Sequence, residues 1–362
     1  MAFLDRIKGC LVGANVGDCL GSFFEGDFWD CTIDILQIIH KIGIKKIAKK
    51  ENESIQFTDD TAMSKSVCSS LLTCKEFNAV DMATRFTKEY EREGWRGYGG
   101  GVTDVFKFWR DKGIKKQNVF KQATHQFEGS GSYGNGAAMR VAPVAVFAKS
   151  KTHCIQIAKQ SAQLTHSHRC GYTGAILQAL AVYQALHSTS AIDPFAFLKN
   201  LKEDISALEE TTGVHEEEVT ALKTSDDSDT GDFDAKLEKL HEWTCGPSFT
   251  FTKQLGTIED LLRIHSTEID TATVVTKLGN GISAQEAVPA ALYSFLRNIN
   301  NTFEETLYYT ISLGGDTDTI GSMCAAIAGA YQGFTNIPPE WVKACEGCQE
   351  MIVFADRFNE ET

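Results

Sequence analysis

Two short stretches concentrate oxygen ligands where an apolar helix begins. "FTDDTAMS" supplies Thr58, Asp59, Asp60 and Thr61, and "SLGGDTDTIGSM" supplies Asp316, Thr317, Asp318 and Thr319. Asp and Thr are favoured helix caps, because their side-chain oxygens accept hydrogen bonds from the free N–H groups of the first turn. One aspartate meets that need; a second adds like-charge repulsion and little else. If the two helix starts face each other, their carboxylates converge, which a low-dielectric pocket tolerates only with cations. Hard oxygen donors of this kind suit Mg²⁺, Mn²⁺ or Ca²⁺ rather than zinc. They could hold two ions about 3.5–4 Å apart. On spacing alone, metal holding and helix capping both stay open.

Two further clusters carry chemistry. Glu25 follows a pair of aromatics in "GDCLGSFFEG", and "EGSGSYGNGAAMR" alternates Gly129, Gly131, Gly134 and Gly136 with Ser130, Ser132, Tyr133 and Asn135. The latter lacks the Gly-Lys-Ser/Thr of a phosphate-binding P-loop and the strand–helix setting of a dinucleotide fold. Its glycines would let backbone N–H groups form an anion nest, or simply turn the chain between helices.

The elements that must position these groups read as helices. Met63, Val67 and Leu71 repeat every four residues after "FTDD"; Ile176, Leu180 and Tyr183 keep that period, as do Ile320, Met323, Cys324, Ile327 and Tyr331. Phe3, Ile7 and Leu11 share one face of a first helix, and Gly9, Gly13, Gly17 and Gly21 share another. Asp5, Arg6, Lys8 and Asp18 exclude a bilayer setting for that glycine ladder, so it predicts close packing against another backbone. Strand alternation is scarce and prolines number six. An all-α fold is expected, a compact orthogonal bundle over 1–362 in a single domain. The acidic stretch Thr224–Asp234, "TSDDSDTGDFD", reads as a surface loop within it.

Bulk properties narrow the partners. A formal charge of −13 argues against direct DNA binding, which depends on Lys and Arg neutralising phosphates. No apolar stretch reaches the roughly 18 residues of a membrane span, and "MAFLDRIKGC" lacks signal-peptide architecture. Eleven cysteines, an odd number, suggest free thiols in a reducing compartment. Cys345 and Cys348 form a CxxC with no second pair or nearby His to complete a zinc site, so core or helix-surface thiols are expected. No heptad or exposed apolar stripe opposes a monomer.

Taken together, "GCLVGANVGDCLGSFFEG", "FTDDTAMS", "GSYGNGAAMR" and "SLGGDTDTIGSM" resemble the ADP-ribosylhydrolase family nearly end to end. The stretch at Tyr98–Gly101, with "GSYGNG", "SAQLTH" and "LGNGI", is most similar to the members that act on serine-linked ADP-ribose. The resemblance implies a binuclear Mg²⁺ centre in an all-helical domain. Thr58, Asp59 and Asp60 would bind metal from one side and Asp316, Asp318 and Thr319 from the other, with Glu25 a further metal ligand and a mobile glutamate needed for activity. Glu25 and Asp316 are the expected catalytic groups. Phe127, Gly131, Ser132, Tyr133, Gly134 and Asn135 would line the ADP-ribose cleft, with His166 and Ile282 touching its adenosine and diphosphate parts and Gly99 and Gly101 close to the phosphates.

The implied activity is removal of ADP-ribose from serine residues of proteins, with cleavage of poly(ADP-ribose) and O-acetyl-ADP-ribose. The implied location is the nucleus and cytoplasm with a mitochondrial fraction. The alternatives are an ADP-ribosylarginine hydrolase of the same family and a non-catalytic ADP-ribose reader; the second would be expected to lack a metal ligand or the glutamate, and neither is missing. A helical metal-dependent phosphohydrolase would draw on a His-Asp pair, which "LTHSHRC", with His166 and His168, does not offer. The least family-like segment is Asp204–Phe249.

Overall fold

The four-residue apolar spacing produces helices throughout the computed structural model, which describes residues 2–25, 54–220, 249–264 and 269–361. In chain order these are α1 (Phe3–Gly21), α2 (Asp59–Cys74), α3 (Ala79–Glu93), α4 (Gly100–Lys112), α5 (Ala142–Phe147), α6 (Lys151–Gln163), α7 (Arg169–Leu186) and α8 (Pro194–Thr220). There follow α9 (Phe251–Arg263), α10 (Thr271–Leu278), α11 (Ala284–Arg297), α12 (Phe303–Ile311), α13 (Thr317–Gln332), α14 (Pro339–Ala344) and α15 (Cys348–Glu361). Among the described residues there is no strand, only isolated bridges joining Ile55 to Cys345 and Gly134 to Ser283. The expectation of an all-α fold is met. Thr224–Asp234, read as an acidic loop, lies outside the described residues. No described helix is long and apolar enough to cross a membrane.

Two helices form the axis of the core. α13 is buried from Thr317 to Ala330, and α1 from Gly9 to Gly21, so neither has a solvent face over those spans. Helices α7, α11, α12 and α15 pack around them. The glycine ladder explains how the pair can meet. A methyl group on Gly9 would sit 2.2 Å from the Gly329 carbonyl oxygen, on Gly13 2.5 Å from that of Ala325, on Gly17 2.3 Å from that of Gly321, and on Gly21 2.3 Å from that of Thr317. Each step of four residues on α1 thus matches one step of four on α13, backbone against backbone.

The outer helices behave differently, burying one stripe each. In α3, Met82, Ala83, Phe86 and Thr87 face inward, and Asn78 caps the start by accepting from Asp81 N at 3.0 Å. The thiols follow the core reading: Cys345 and Cys348 are buried and free, packed with Cys19 under α1.

The ladder yields a stability test with an internal control. Gly17→Ala forces a methyl into fixed backbone and should cost about 3 kcal/mol or more in chemical denaturation, the upper range for overpacking. Gly256→Ala on α9, where the nearest atom to a new methyl is the flexible Lys202 Nζ at 3.7 Å, should instead stabilise by about 0.5–1 kcal/mol.

Candidate active site

The start of α2 is held from behind by a residue on α1. Asp18, fully buried, accepts from Thr58 N (3.0 and 3.1 Å), Thr58 Oγ1 (2.9 Å) and Thr61 N (3.0 Å). Thr58 itself caps α2, accepting from Asp60 N at 3.3 Å. Arg96 provides the second clamp. Its guanidinium donates to the Phe57 carbonyl (2.7 Å), stacks over the Phe57 ring (3.6 Å) and pairs with both carboxylate oxygens of Glu346 (3.0 and 3.1 Å). The Arg96 carbonyl meanwhile accepts from Asp59 N at 2.8 Å. With their backbone demands met elsewhere, the Asp59 and Asp60 carboxylates are spared for the cleft.

The start of α13 resolves the capping question. Asp316 occupies the N-cap position yet makes no side-chain cap hydrogen bond; its carboxylate accepts from Asn135 Nδ2 instead. Asp318 accepts from the adjacent Thr319 N at 2.8 Å. The preceding turn needs glycine: Gly314 and Gly315 have φ of 68° and 73°, and a methyl on Gly315 would strike the Asn280 carbonyl at 2.1 Å. Asn280 locks that turn, its carbonyl accepting from Asp316 N (2.9 Å) and its Nδ2 donating to the Leu313 carbonyl (2.8 Å).

The two helix starts do face each other. Thr319 Oγ1 donates to Asp60 Oδ2 across the gap at 3.2 Å. Carboxylate oxygens of Glu25, Asp316 and Asp318 lie within 4.8 Å of one another. Burial raises the Asp59 carboxyl to about 8, helped by Asp18, Asp316 and Glu25; Asp60 and Asp318 are raised well above the ordinary carboxylate range by burial and then by their acidic neighbours. Glu25 is raised by partial burial and then by Asp316 and Asp18.

Asp60 Oδ1 is buried with no hydrogen-bond partner. An orphaned carboxylate oxygen among mutually repelling carboxylates, surrounded by hydroxyls, is the donor set of a hard divalent cation. The residues present therefore fit a metal.

These groups form one end of a cleft of about 310 Å³. Glu25, Thr58, Asp59, Asp60, Asp316, Asp318 and Thr319 line it, as do Gly99, Gly101, Phe127, Ser132, Tyr133, Gly134, Asn135, His166 and Ile282. At the far rim Phe127 packs on Tyr133 with ring centroids 5.5 Å apart, and Ile282 is exposed. Backbone bonds from Asn135 N to the Ile282 carbonyl and from Ala284 N to the Tyr133 carbonyl, each 3.0 Å, tie the Gly-rich loop to the start of α11. Gly131 stands apart from the wall. At φ 79° it backs onto Ser167, where a methyl would meet Oγ at 2.1 Å, so it folds the loop rather than facing the cavity. Gly97, Gly100, Val102, Met139 and Arg140 also line the cleft without having been singled out by type and spacing; Met63 and Gly136, read from the sequence as a core position and a turn glycine, line it too.

The family's sequence profile, described as ADP-ribosylglycohydrolase, matches residues 1–362. The chain belongs to the ADP-ribosylglycohydrolase family. It is 39% identical over 370 residues to the ADP-ribosylhydrolase ARH3 of Homo sapiens, covering 98% of this chain and 93% of that one. To the protein of that name from Danio rerio it is 36% identical over 364 residues, covering 98% and 90%. A solved structure titled "ADP-ribosylglycohydrolase-related protein complex" superposes with a TM-score of 0.64 at 20% identity, over 99% of this chain and 98% of that chain, and so shares the fold. In this ADP-ribosylglycohydrolase, the acidic end of the cleft and the family assignment point independently to metal binding.

That end has a measurable signature. A carboxylate with a raised folded-state pKa binds its proton more tightly folded than unfolded. Between the unfolded value near 3.8 and the Asp59 value of about 8, stability therefore falls as pH rises. The melting temperature of chelator-treated protein should drop from pH 5 to pH 8, and Asp60→Asn should flatten the slope. Added Mg²⁺ should raise it more at pH 8 than at pH 5. A flat profile for the chelator-treated parent, unmoved by added divalent cations, would contradict this arrangement.

Proposed function

We propose that this ADP-ribosylhydrolase cleaves the O-glycosidic bond between C1 of the terminal ribose of ADP-ribose and a serine side chain. The same cleft would act on poly(ADP-ribose) and O-acetyl-ADP-ribose. The observation that carries the reading is the convergence of Glu25, Asp59, Asp60, Asp316 and Asp318 at one end of a cleft whose other end is an aromatic rim. Two Mg²⁺ ions are the proposed cofactor, held by Thr58, Asp59, Asp60, Asp316, Asp318 and Thr319, with Glu25 at the opening. When bound, they would supply Lewis acidity toward the ribose hydroxyls and water.

The chain's own groups have distinct tasks. Phe127 and Tyr133 offer flat apolar faces for the adenine ring. Gly99, Gly100 and Gly101 open α4, where N–H groups of the first turn and the helix dipole suit a diphosphate; a side chain at Gly99 or Gly100 would project into open space. Asn135 orients Asp316 through its Nδ2 hydrogen bond, leaving the second carboxylate oxygen for the reacting end of the substrate. Cleavage develops positive charge at C1 and negative charge on the leaving oxygen. Glu25, exposed on the cleft lining and raised toward its protonated form, is placed to hold a proton where the leaving group departs.

Serine- and arginine-linked ADP-ribosyl peptides, each offered with and without Mg²⁺, test the assignment through release of ADP-ribose. Release from the serine peptide alone, and only with Mg²⁺, is expected; preferential release from the arginine peptide would reassign the substrate. Glu25→Gln should melt like the parent and lose turnover by about 100-fold or more, and near-normal kinetics would remove Glu25 from the reaction.

A further inference from the structure

Behind the Gly-rich wall runs a line of buried polar groups that the hydrolytic chemistry leaves unused. Arg140 is 1% exposed, and its hydrogen-bond partners among the described residues are all uncharged. Its Nη1 donates to the Gly136 carbonyl at 2.8 Å; its Nη2 donates to Thr165 Oγ1 at 2.7 Å and to the Ser161 carbonyl at 3.2 Å. The guanidinium also lies over the Phe86 ring, 4.8 Å from its centroid. It thereby ties the loop carrying Ser132–Gly136 to the end of α6.

The direction of each hydrogen bond follows from simple inventory. A guanidinium carries only donors, so Thr165 Oγ1 is the acceptor in its bond with Arg140. Thr165 is fully buried, and the hydroxyl must still place its own hydrogen. The acceptor in reach is His166 Nδ1, 2.7 Å away. Nδ1 therefore contributes its lone pair, and the neutral ring carries its hydrogen on Nε2. Burial, followed by the positive charge of Arg140, pulls the imidazole down to about 3, so the ring stays neutral near pH 7.

Nε2 points at the Gly-rich wall of the cleft. Methyl groups on Gly134 and Gly136 would lie 3.5 and 3.2 Å from it, and no protein group accepts from it among the described residues. Glycine at both positions keeps that nitrogen open to a ligand.

We propose that Arg140 and Thr165 are positioning residues that fix His166 as a neutral Nε2–H donor toward an oxygen of the bound ADP-ribosyl group. The donor role rests on the proposed function; the tautomer does not. A ring with its lone pair on Nε2 would repel the phosphate oxygens, which only accept, and could pair only with a ribose hydroxyl. An imidazolium would bind them but add a charge beside Arg140. The relay selects the one form that offers a donor without that charge.

Two-bond proton–nitrogen correlation spectra of ¹⁵N-labelled, metal-free protein at pH 7 read the tautomer directly. Nδ1 of His166 should appear as the lone-pair nitrogen and Nε2 as the protonated one. The reverse assignment, or two equal imidazolium-like shifts, would overturn the relay. Calorimetry with ADP-ribose on the same metal-free protein supplies the second readout. Thr165→Val should weaken binding about tenfold, the scale of one oriented hydrogen bond, while Thr165→Ser, which keeps the hydroxyl, should stay within about twofold of the parent. Equal affinity in Thr165→Val and the parent would overturn the positioning role, and a serine variant as weak as the valine would do the same by leaving the hydroxyl irrelevant. A parent protein with the Nε2–H tautomer but no affinity for ADP-ribose would overturn the ligand assignment alone, which separates the two failures.

Discussion

The arrangement depends first on two backbones in contact. α1 and α13 touch through glycines and carbonyl oxygens, backbone against backbone at four successive rungs. Side-chain packing between helices normally holds their axes 8–10 Å apart; removing the side chains allows closer approach. The groups that matter lie at one end of this contact. α1 ends at Gly21 with Asp18 in its last turn and Glu25 just beyond, and α13 begins at Thr317 beside Asp316 and Asp318. Gly21 packs on the Thr317 carbonyl, and Thr317 Oγ1 donates to the Gly21 carbonyl at 2.8 Å. The last rung of the ladder is thus also the hinge on which the acidic end is hung.

Crowding acids into a buried space raises the free energy of the folded chain, and the structure offsets this locally. Asp18 receives four hydrogen bonds that oppose the effect of its burial and hold the opposing loop. Arg96 and Arg140 bring two buried guanidinium groups near the cleft, one bonded to the Phe57 carbonyl and one to the Gly136 carbonyl. Neither donates to Asp59, Asp60, Asp316 or Asp318 in any hydrogen bond. Direct pairing would occupy the oxygens that a cation needs; Arg140 senses the Asp59 charge without a hydrogen bond to it.

The residues that announced themselves were those whose types are costly without a purpose. A second aspartate in a capping turn, as at Asp60 or Asp318, is unfavourable on local grounds, so its presence points to long-range chemistry. The glycine ladder was readable for the same reason, because glycine every fourth residue weakens an isolated helix. Asp18, Arg96 and Arg140 were less legible. Asp18 had a signal, an acid within an otherwise apolar buried helix, but its partners Thr58 and Thr61 lie forty residues away. Arg96 sits in "EREGWRG", a run that reads as a solvated surface, and only the meeting with Phe57 and Glu346 buries it. Gly131 was indistinguishable by type from Gly134 and Gly136; its orientation depends on how the loop meets Ser167.

The contact between α1 and α13 also bears on how such a molecule can change over time. Where side chains pack, a loss at one position can be repaired by a gain at its neighbour, and shape drifts by small compensated steps. A carbonyl oxygen lying against an α-carbon has no such neighbour to adjust. The spacing between the acidic helix starts is therefore closed to gradual adaptation. Novelty in what the cleft accepts must be written on the far rim, where Phe127 and Ile282 stand exposed on loops and can vary without disturbing the axis. The molecule divides into a part that conserves its geometry by having nothing to exchange and a part free to explore.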